Sequence, residues 1–315
     1  MSLPFKVLIL DHMRPGGSCR RWHRLPPLLA ARGWEVLHLS KARWREFFPA
    51  LKRFHPRAVV SAGPIGFLPA VCRRLGILRV FLVHDWLDDY AENMGHLYGY
   101  PVMSRLEKLA VTGADLVTSP SQFRTEKARR WGKKACFIPH GVEEHFERVP
   151  PKNLPGAVRV GYVGIANRAK RVDRLVEAAR GLACDLYLIG PAETELIRNA
   201  PANAHFLGEV PPGEVPGYVK AFDIAALTMD NDSCVKMSEY IRARCPIVAL
   251  SGRVARSLSA GEEALIVDDL REGIARLIAD PGLRAALSAA LGRRETFTWP
   301  EVAEKFQEAV EAEVL

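Results

Sequence analysis

The chain has 315 residues, 48% of them hydrophobic and 25% charged. That suits two ordinary domains, each able to bury its own core, and excludes a disordered or low-complexity class. The net charge of +8 is uneven: residues 1–150 hold 24 Lys and Arg against 13 Asp and Glu, and the rest hold 20 against 23. A basic first half suits an anionic membrane surface, a phosphorylated acceptor or nucleic acid.

In chain order, short apolar runs alternate with helical stretches. Strands are expected at residues 6–10, 35–39, 57–61, 79–83, 115–118 and 135–139, with helices near 20–32, 41–54, 103–112 and 121–131. The second half repeats the rhythm. Its strands are expected at 158–163, 185–189, 205–207, 224–227, 247–250 and 265–267. Its helices fall near 170–180, 215–221, 235–243, 270–278 and 282–291, and a last amphipathic helix covers 300–312. Continuous apolar strands separated by helices indicate parallel sheets covered on both faces. The segment 149–156 carries three prolines and a glycine and reads as a linker. The division is therefore an N-terminal Rossmann-like domain over 1–150, a C-terminal one over 151–297, and a terminal helix over 298–315 that returns to the first domain.

Residues 5–10 are followed at once by Asp11, His12 and Arg14, which reads as a strand and not as a signal peptide. No run of about twenty uncharged apolar residues offers a spanning helix. The six cysteines are scattered, with no CxxC pair or zinc spacing, as suits a reducing cytoplasm.

Four segments bring together residues with chemistry. The first loop holds Gly16 and Gly17 ahead of a helix, where backbone N–H groups meet an anion, although an ordinary βα turn has the same composition. His84, Asp85, Asp88 and Asp89 follow the fourth strand. A carboxylate there can take a proton from a hydroxyl, and it can equally cap the next helix. Gly164 ends a strand and Lys170 follows, a pattern that holds a diphosphate or presents a solvated basic face. Lys236 and Glu239 are three apart and share a helical face, fit for a phosphate and a ribose or for a plain ion pair.

Taken in this order, the segments resemble GT-B glycosyltransferases of the family 4 type, closest to bacterial enzymes of teichuronic acid and exopolysaccharide synthesis. The resemblance rests on Gly16-Gly17, on His84-Asp85-Trp86-Leu87-Asp88-Asp89, on residues 114–121 and on Ile138-Pro139-His140-Gly141. Beyond residue 156 it rests on Gly161-Tyr162-Val163-Gly164, Leu188-Ile189-Gly190-Pro191, Phe206-Leu207-Gly208 and Lys236-Met237-Ser238-Glu239-Tyr240. It implies an α/β fold of two Rossmann-like domains with parallel sheets facing across a cleft. It implies transfer of a sugar from a nucleoside diphosphate sugar, UDP- or GDP-linked, to a saccharide or lipid-linked acceptor. Neither a metal nor another cofactor is expected, and no nucleic acid. The place is the cytoplasm, with peripheral contact at the inner face of the membrane.

By the same resemblance, Gly16, Gly17, Gly164, Lys170, Lys236, Met237 and Ser238 meet the donor phosphates. Glu239 holds the ribose, and Leu207 and Val210 line the base. His84, Asp85 and Asp88 fall on the acceptor and catalytic side. Three departures stand out. Asn231 replaces the first glutamate of the family's pair, Ile165 replaces an arginine, and His140 replaces an asparagine. They keep two other readings open: a sugar-nucleotide epimerase of similar architecture, and a nucleotide-sugar-binding protein without turnover.

Overall fold

The computed structural model describes residues 4–11, 21–63, 66–90, 95 and 97–314. The chain forms two compact units: unit 1 is Met1–His140 with Trp299–Leu315, and unit 2 is Gly141–Thr298.

Unit 1 is built on a parallel six-stranded sheet in the order β2-β1-β3-β4-β5-β6. The strands are β1 (Phe5–Asp11), β2 (Trp34–Leu39), β3 (Ala58–Ala62), β4 (Phe81–Asp85), β5 (Leu116–Ser119) and β6 (Lys134–Phe137). The helices between them are α1 (Arg21–Ala31), α2 (Phe47–Phe54), α3 (Phe67–Arg74), α4 (Tyr100–Gly113) and α5 (Gln122–Arg130). From β1 the chain steps one way to β2 and then the other way through β3, β4, β5 and β6. Right-handed crossovers therefore place α1 on one face and α2 to α5 on the other. The period of two in β1 serves both faces. Leu8 and Leu10 join the core with Phe47, Ala70, Met103, Val111 and Ala128. The buried Val7 and Ile9 serve the α1 side. There α1 meets the C-terminal helix, α12 (Trp299–Val314), with Trp22 edge-on to Phe306 at 5.5 Å.

Unit 2 has the order β10-β9-β8-β11-β12-β13, again all parallel. Its strands are β8 (Arg159–Val163), β9 (Asp185–Ile189), β10 (Ala204–Gly208), β11 (Ile224–Leu227), β12 (Ile247–Leu250) and β13 (Ala264–Val267). On one face lie α6 (Val172–Ala179), α10 (Leu270–Ala279) and α11 (Pro281–Leu291), packed on Val160, Leu186 and Leu188. On the other lie α8 (Val215–Ala221) and α9 (Val235–Arg242), packed on Val163, Tyr187 and Ile189. The short α7 (Thr194–Arg198) follows β9. Where the chain enters and leaves this unit, β7 (Gly141–Val142) pairs with β14 (Phe297–Thr298).

The boundary thus falls after His140, and the proline-rich stretch 149–156 is not the linker its composition suggested. It is fastened to unit 2. Val142 and Phe146 ahead of it are buried in that core. Lys152 N donates to Gly217 O at 2.9 Å, Lys220 Nζ to the carbonyls of Glu147 and Val149 at 3.0 Å each, and Tyr187 Oη to Pro155 O at 2.6 Å. Among the described residues no helix is long and apolar enough to cross a membrane.

Candidate functional site

In unit 2 the chemistry gathers where three neighbouring strands end in glycine. Gly164, Gly190 and Gly208 follow or close β8, β9 and β10, with φ of +126°, +129° and +71°. Gly190 N donates to Gly208 O at 2.7 Å, and Gly164 N to Ile189 O at 2.8 Å. A Cβ on Gly190 would sit 2.5 Å from the carbonyl oxygen of Gly164, so the two turns approach as closely as glycine permits. After Gly164 the chain runs to Asn167, whose side chain accepts from Lys170 N at 2.9 Å and so starts the turn that carries Lys170. Thr228, at the end of β11, donates to Lys170 O at 2.6 Å and pins the turn from the other side.

Lys236 enters from the first turn of α9. Its Nζ is buried, has no hydrogen-bond partner, and lies 3.8 Å from the ring centroid of Tyr162. It is also 3.2 Å from where a Cβ on Gly164 would stand. Burial pushes Lys236 down to about 8, against smaller opposing effects of Cys234 and Glu239. Lys170 is likewise pushed down to about 8, first by burial and then by the charge of Lys236. Two desolvated cations 66 residues apart in sequence thus feel each other's charge, with Lys236 beside the Gly164 turn. Such a pair suits a diphosphate, whose charge would repay their desolvation.

The other residues expected in this site fall out unequally. Glu239 is buried on α9, one turn beyond Lys236. Ser238 is half-buried on the same helix. Leu207 is exposed near the end of β10, and Val210, just past it, is partly buried against the core. Met237 requires a correction: its side chain is packed in the core and its amide donates to Cys234 O within the helical turn, so it has no group to offer a donor. Asn231 accepts from Ser233 N at 3.0 Å and shapes the turn into α9. Gly16 and Gly17 lie outside the described residues. Tyr162 and Gly190 stand in the motifs of the sequence without a role of their own, and Asn167 and Thr228 carry no sequence signal.

In unit 1, β4 ends in a buried polar network. Asp85 is fully buried. It accepts from Arg21 Nε at 2.9 Å, Arg21 Nη2 at 3.4 Å and Thr118 Oγ1 at 2.7 Å. Arg21, equally buried, gives its Nη1 to Pro139 O at 2.8 Å. His84 is fully buried between Ser61 Oγ, 3.1 Å from Nδ1, and Tyr90 Oη, 3.0 Å from Nε2. Tyr90 Oη donates to Gly63 O, so it accepts from Nε2–H, while Ser61 Oγ lies within reach of both Nδ1 and Val83 O, the latter at 3.3 Å. Burial holds His84 down to about 4, so the ring is neutral at neutral pH. Both expectations of a base at these positions are therefore corrected. The carboxylate is saturated by a buried ion pair, and the imidazole is fully buried between Ser61 and Tyr90. Asp89 is buried near Arg124 and Lys127, at 4.0 and 3.8 Å. Asp88 is the half-buried carboxylate of the cluster. Among the described residues no three His, Cys, Asp or Glu side chains gather as a metal site.

Residues 4–146 match the model of Glycosyltransferase Family 4. Over 98% of its length the chain is similar to sucrose-phosphate synthase from Thermosynechococcus elongatus, with TM-score 0.79, 17% identity and 98% of that chain covered. It is also similar to Anabaena HepE in complex with UDP, with TM-score 0.71, 16% identity, and 98% and 100% of the two chains covered. A putative UDP-N-acetylglucosamine 2-epimerase from Listeria monocytogenes shares the fold at TM-score 0.67 and 11% identity, with 98% and 96% covered. No curated protein matches by sequence. The family match over residues 4–146, together with the two-unit α/β fold shared with these solved structures, supports a glycosyltransferase of the family 4-like GT-B type.

Proposed function

We propose that the protein transfers a sugar from a uridine diphosphate sugar to an acceptor hydroxyl, without a metal ion, in the synthesis of a bacterial polysaccharide or glycoconjugate. The observation that carries this is the nearness of Lys170 to Lys236, with the Lys236 ammonium beside the Gly164 turn, buried and lacking a hydrogen-bond acceptor. The two cations take the diphosphate, and they stabilise the charge that grows on it as the sugar leaves. Glu239, one turn deeper on α9, accepts from the ribose hydroxyls. Leu207 and Val210 offer apolar surface to the base. In support of uridine, HepE of the same fold has been solved with UDP and with UDP-glucose.

On the acceptor side the reading keeps Asp88 as the base. His84 and Asp85 position the end of β4 that carries it. The acceptor is a saccharide or a lipid-linked saccharide.

Titration calorimetry of UDP, GDP and ADP in excess chelator tests the reading. UDP is expected to bind in the micromolar range, and Lys236→Ala to weaken it about tenfold or more, as for the loss of a charge-assisted contact. Binding that appears only with added Mg²⁺ would overturn metal independence. A lack of binding by every nucleotide would overturn the donor assignment.

A further inference from the structure

Of the six cysteines, five fall among the described residues. Cys72, Cys184 and Cys245 are buried, and Cys136 is half-buried on β6. Burial pushes the thiols of all four up, Cys184 to about 11. Such thiols are unreactive at neutral pH. Cys234 is placed differently. It is half-buried, and it stands at the N-cap of α9, the helix whose first turn carries Lys236. Its backbone is extended and its carbonyl accepts from Met237 N at 3.1 Å, but its side chain makes no capping bond to the helix amides.

The surroundings of this sulfur are basic. Burial is the largest influence on Lys170, Lys236, Tyr162 and Tyr240, and a negative charge on Cys234 acts on all four besides, raising each. On Lys236 it acts ahead of Glu239. These side chains come from β8, from the turn that carries Lys170 and from α9, so the sulfur lies where the three meet. An independent observation points to an anion at this place. Lys236 Nζ is buried, lies 3.8 Å from the ring centroid of Tyr162, and has no hydrogen-bond partner. A thiolate two residues away along the chain would supply the missing negative charge, and the start of α9 favours the same charge.

We propose that Cys234 is a peroxide-sensitive thiol that switches off the diphosphate cradle of unit 2. The thiolate sulfur attacks one oxygen of hydrogen peroxide, and the O–O bond breaks. The other oxygen leaves as hydroxide and takes up a proton to give water. The sulfur gives up two electrons and becomes a sulfenic acid. A small thiol reverses the step: one equivalent forms a mixed disulfide and releases water, and a second displaces the cysteine as a thiol. The added oxygen stands among the lysines that take the diphosphate, so donor affinity falls. The reactivity of the thiol stands by itself; its effect on the donor rests on the proposed function.

The test treats the full chain with hydrogen peroxide, traps sulfenic acid with dimedone and maps the labelled peptides by mass spectrometry. Cys234 is expected to label about tenfold or more faster than Cys72, Cys136, Cys184 and Cys245. Lys236→Met, which removes the neighbouring charge, should slow the labelling of Cys234 about tenfold. Calorimetry with UDP on the same samples follows the switch. Peroxide should lower wild-type affinity about tenfold or more, and dithiothreitol should restore it. The affinity of Cys234→Ser should be the same before and after peroxide. Labelling of Cys234 no faster than that of the buried cysteines would overturn the proposal, and so would undiminished UDP affinity in a sample whose Cys234 is oxidised. Rapid labelling in a protein that binds no UDP even before treatment would uphold the reactive thiol and overturn the donor reading, and the switch with it.

Discussion

Lys236 holds a buried ammonium without a hydrogen-bond acceptor among the described residues, and the donor phosphate of the proposed function would supply one. A buried ammonium without an acceptor costs several kcal/mol of desolvation, and the face of Tyr162 returns only about 2 kcal/mol of it. Lys236→Met keeps the length and removes the charge. It is expected to raise stability at pH 7 by about 1–2 kcal/mol while lowering UDP affinity at least tenfold. Chemical denaturation and calorimetry of the same preparation check both; a variant less stable than wild type would mean the lysine serves the fold.

The pH dependence carries the same sign. Both lysines have folded-state values near 8, below the ordinary 10.5. A diphosphate selects the protonated forms, so its affinity is expected to be flat below about pH 7. It should fall as pH rises through 8, by up to tenfold per unit for each lysine that must regain a proton. The burial penalty follows the same titration. It is complete below pH 8 and is relieved between 8 and 10.5, so the stability gained in Lys236→Met should shrink over that interval. UDP titrations from pH 6 to 10 test the first statement, and an affinity that does not change across the range would refute it.

At the scale of elements, the glycine-ended strands make a graded prediction. Alanine at Gly190 meets the backbone of Gly164 at 2.5 Å with φ of +129°, and neither can yield without moving the turn. Alanine at Gly164 has φ of +126° and meets side chains rather than backbone, the end of Lys236 at 3.2 Å and Tyr162 Oη at 3.7 Å. Alanine at Gly208 meets nothing within 4 Å and bears only left-handed strain, about 1 kcal/mol. Loss of UDP affinity should therefore rank Gly190→Ala first, Gly164→Ala second and Gly208→Ala last. The reverse order would show that the strand ends do not form the cradle.

This is also the scale at which the sequence was most legible. The strands buried on both faces read as short apolar runs, and residues 185–189, 224–227 and 247–250 match β9, β11 and β12 residue for residue. The helix α3 was hidden because Pro69 interrupts its short run, although a proline in the first turn costs no hydrogen bond. The pairing of β7 with β14 was hidden because two-residue strands far apart in sequence leave no pattern. Asp85 looked like a base because its partners, Arg21 and Thr118, lie 64 and 33 residues away. The same loss of information applies to Lys236. Its spacing from Glu239 was visible, but the ring of Tyr162 beneath it was not.

At the scale of the whole molecule, unit 1 is completed by a helix that follows unit 2 in the chain. Trp299, Val302, Phe306 and Val310 of α12 are buried, and Phe306 meets both Trp22 of α1 and Trp34 of β2 edge-on, at 5.5 and 6.4 Å. The α1 face of unit 1 thus depends on that helix as well as on α1 for its apolar cover. Phe306→Ala, which empties a fully buried aromatic site, is expected to cost about 3–5 kcal/mol. The loss should fall on unit 1, because the two units have separate cores and a ligand raises the transition only of the unit that binds it. Scanning calorimetry with and without UDP would then show a lowered unit 1 transition and an unchanged UDP-dependent rise in unit 2. At 25 °C, where the variant remains folded, UDP affinity should equal that of wild type while transfer to acceptor declines as unit 1 loosens. A variant that lost UDP affinity as well would show that donor binding draws on unit 1, and the proposal that the residues of unit 2 suffice to hold UDP would fail.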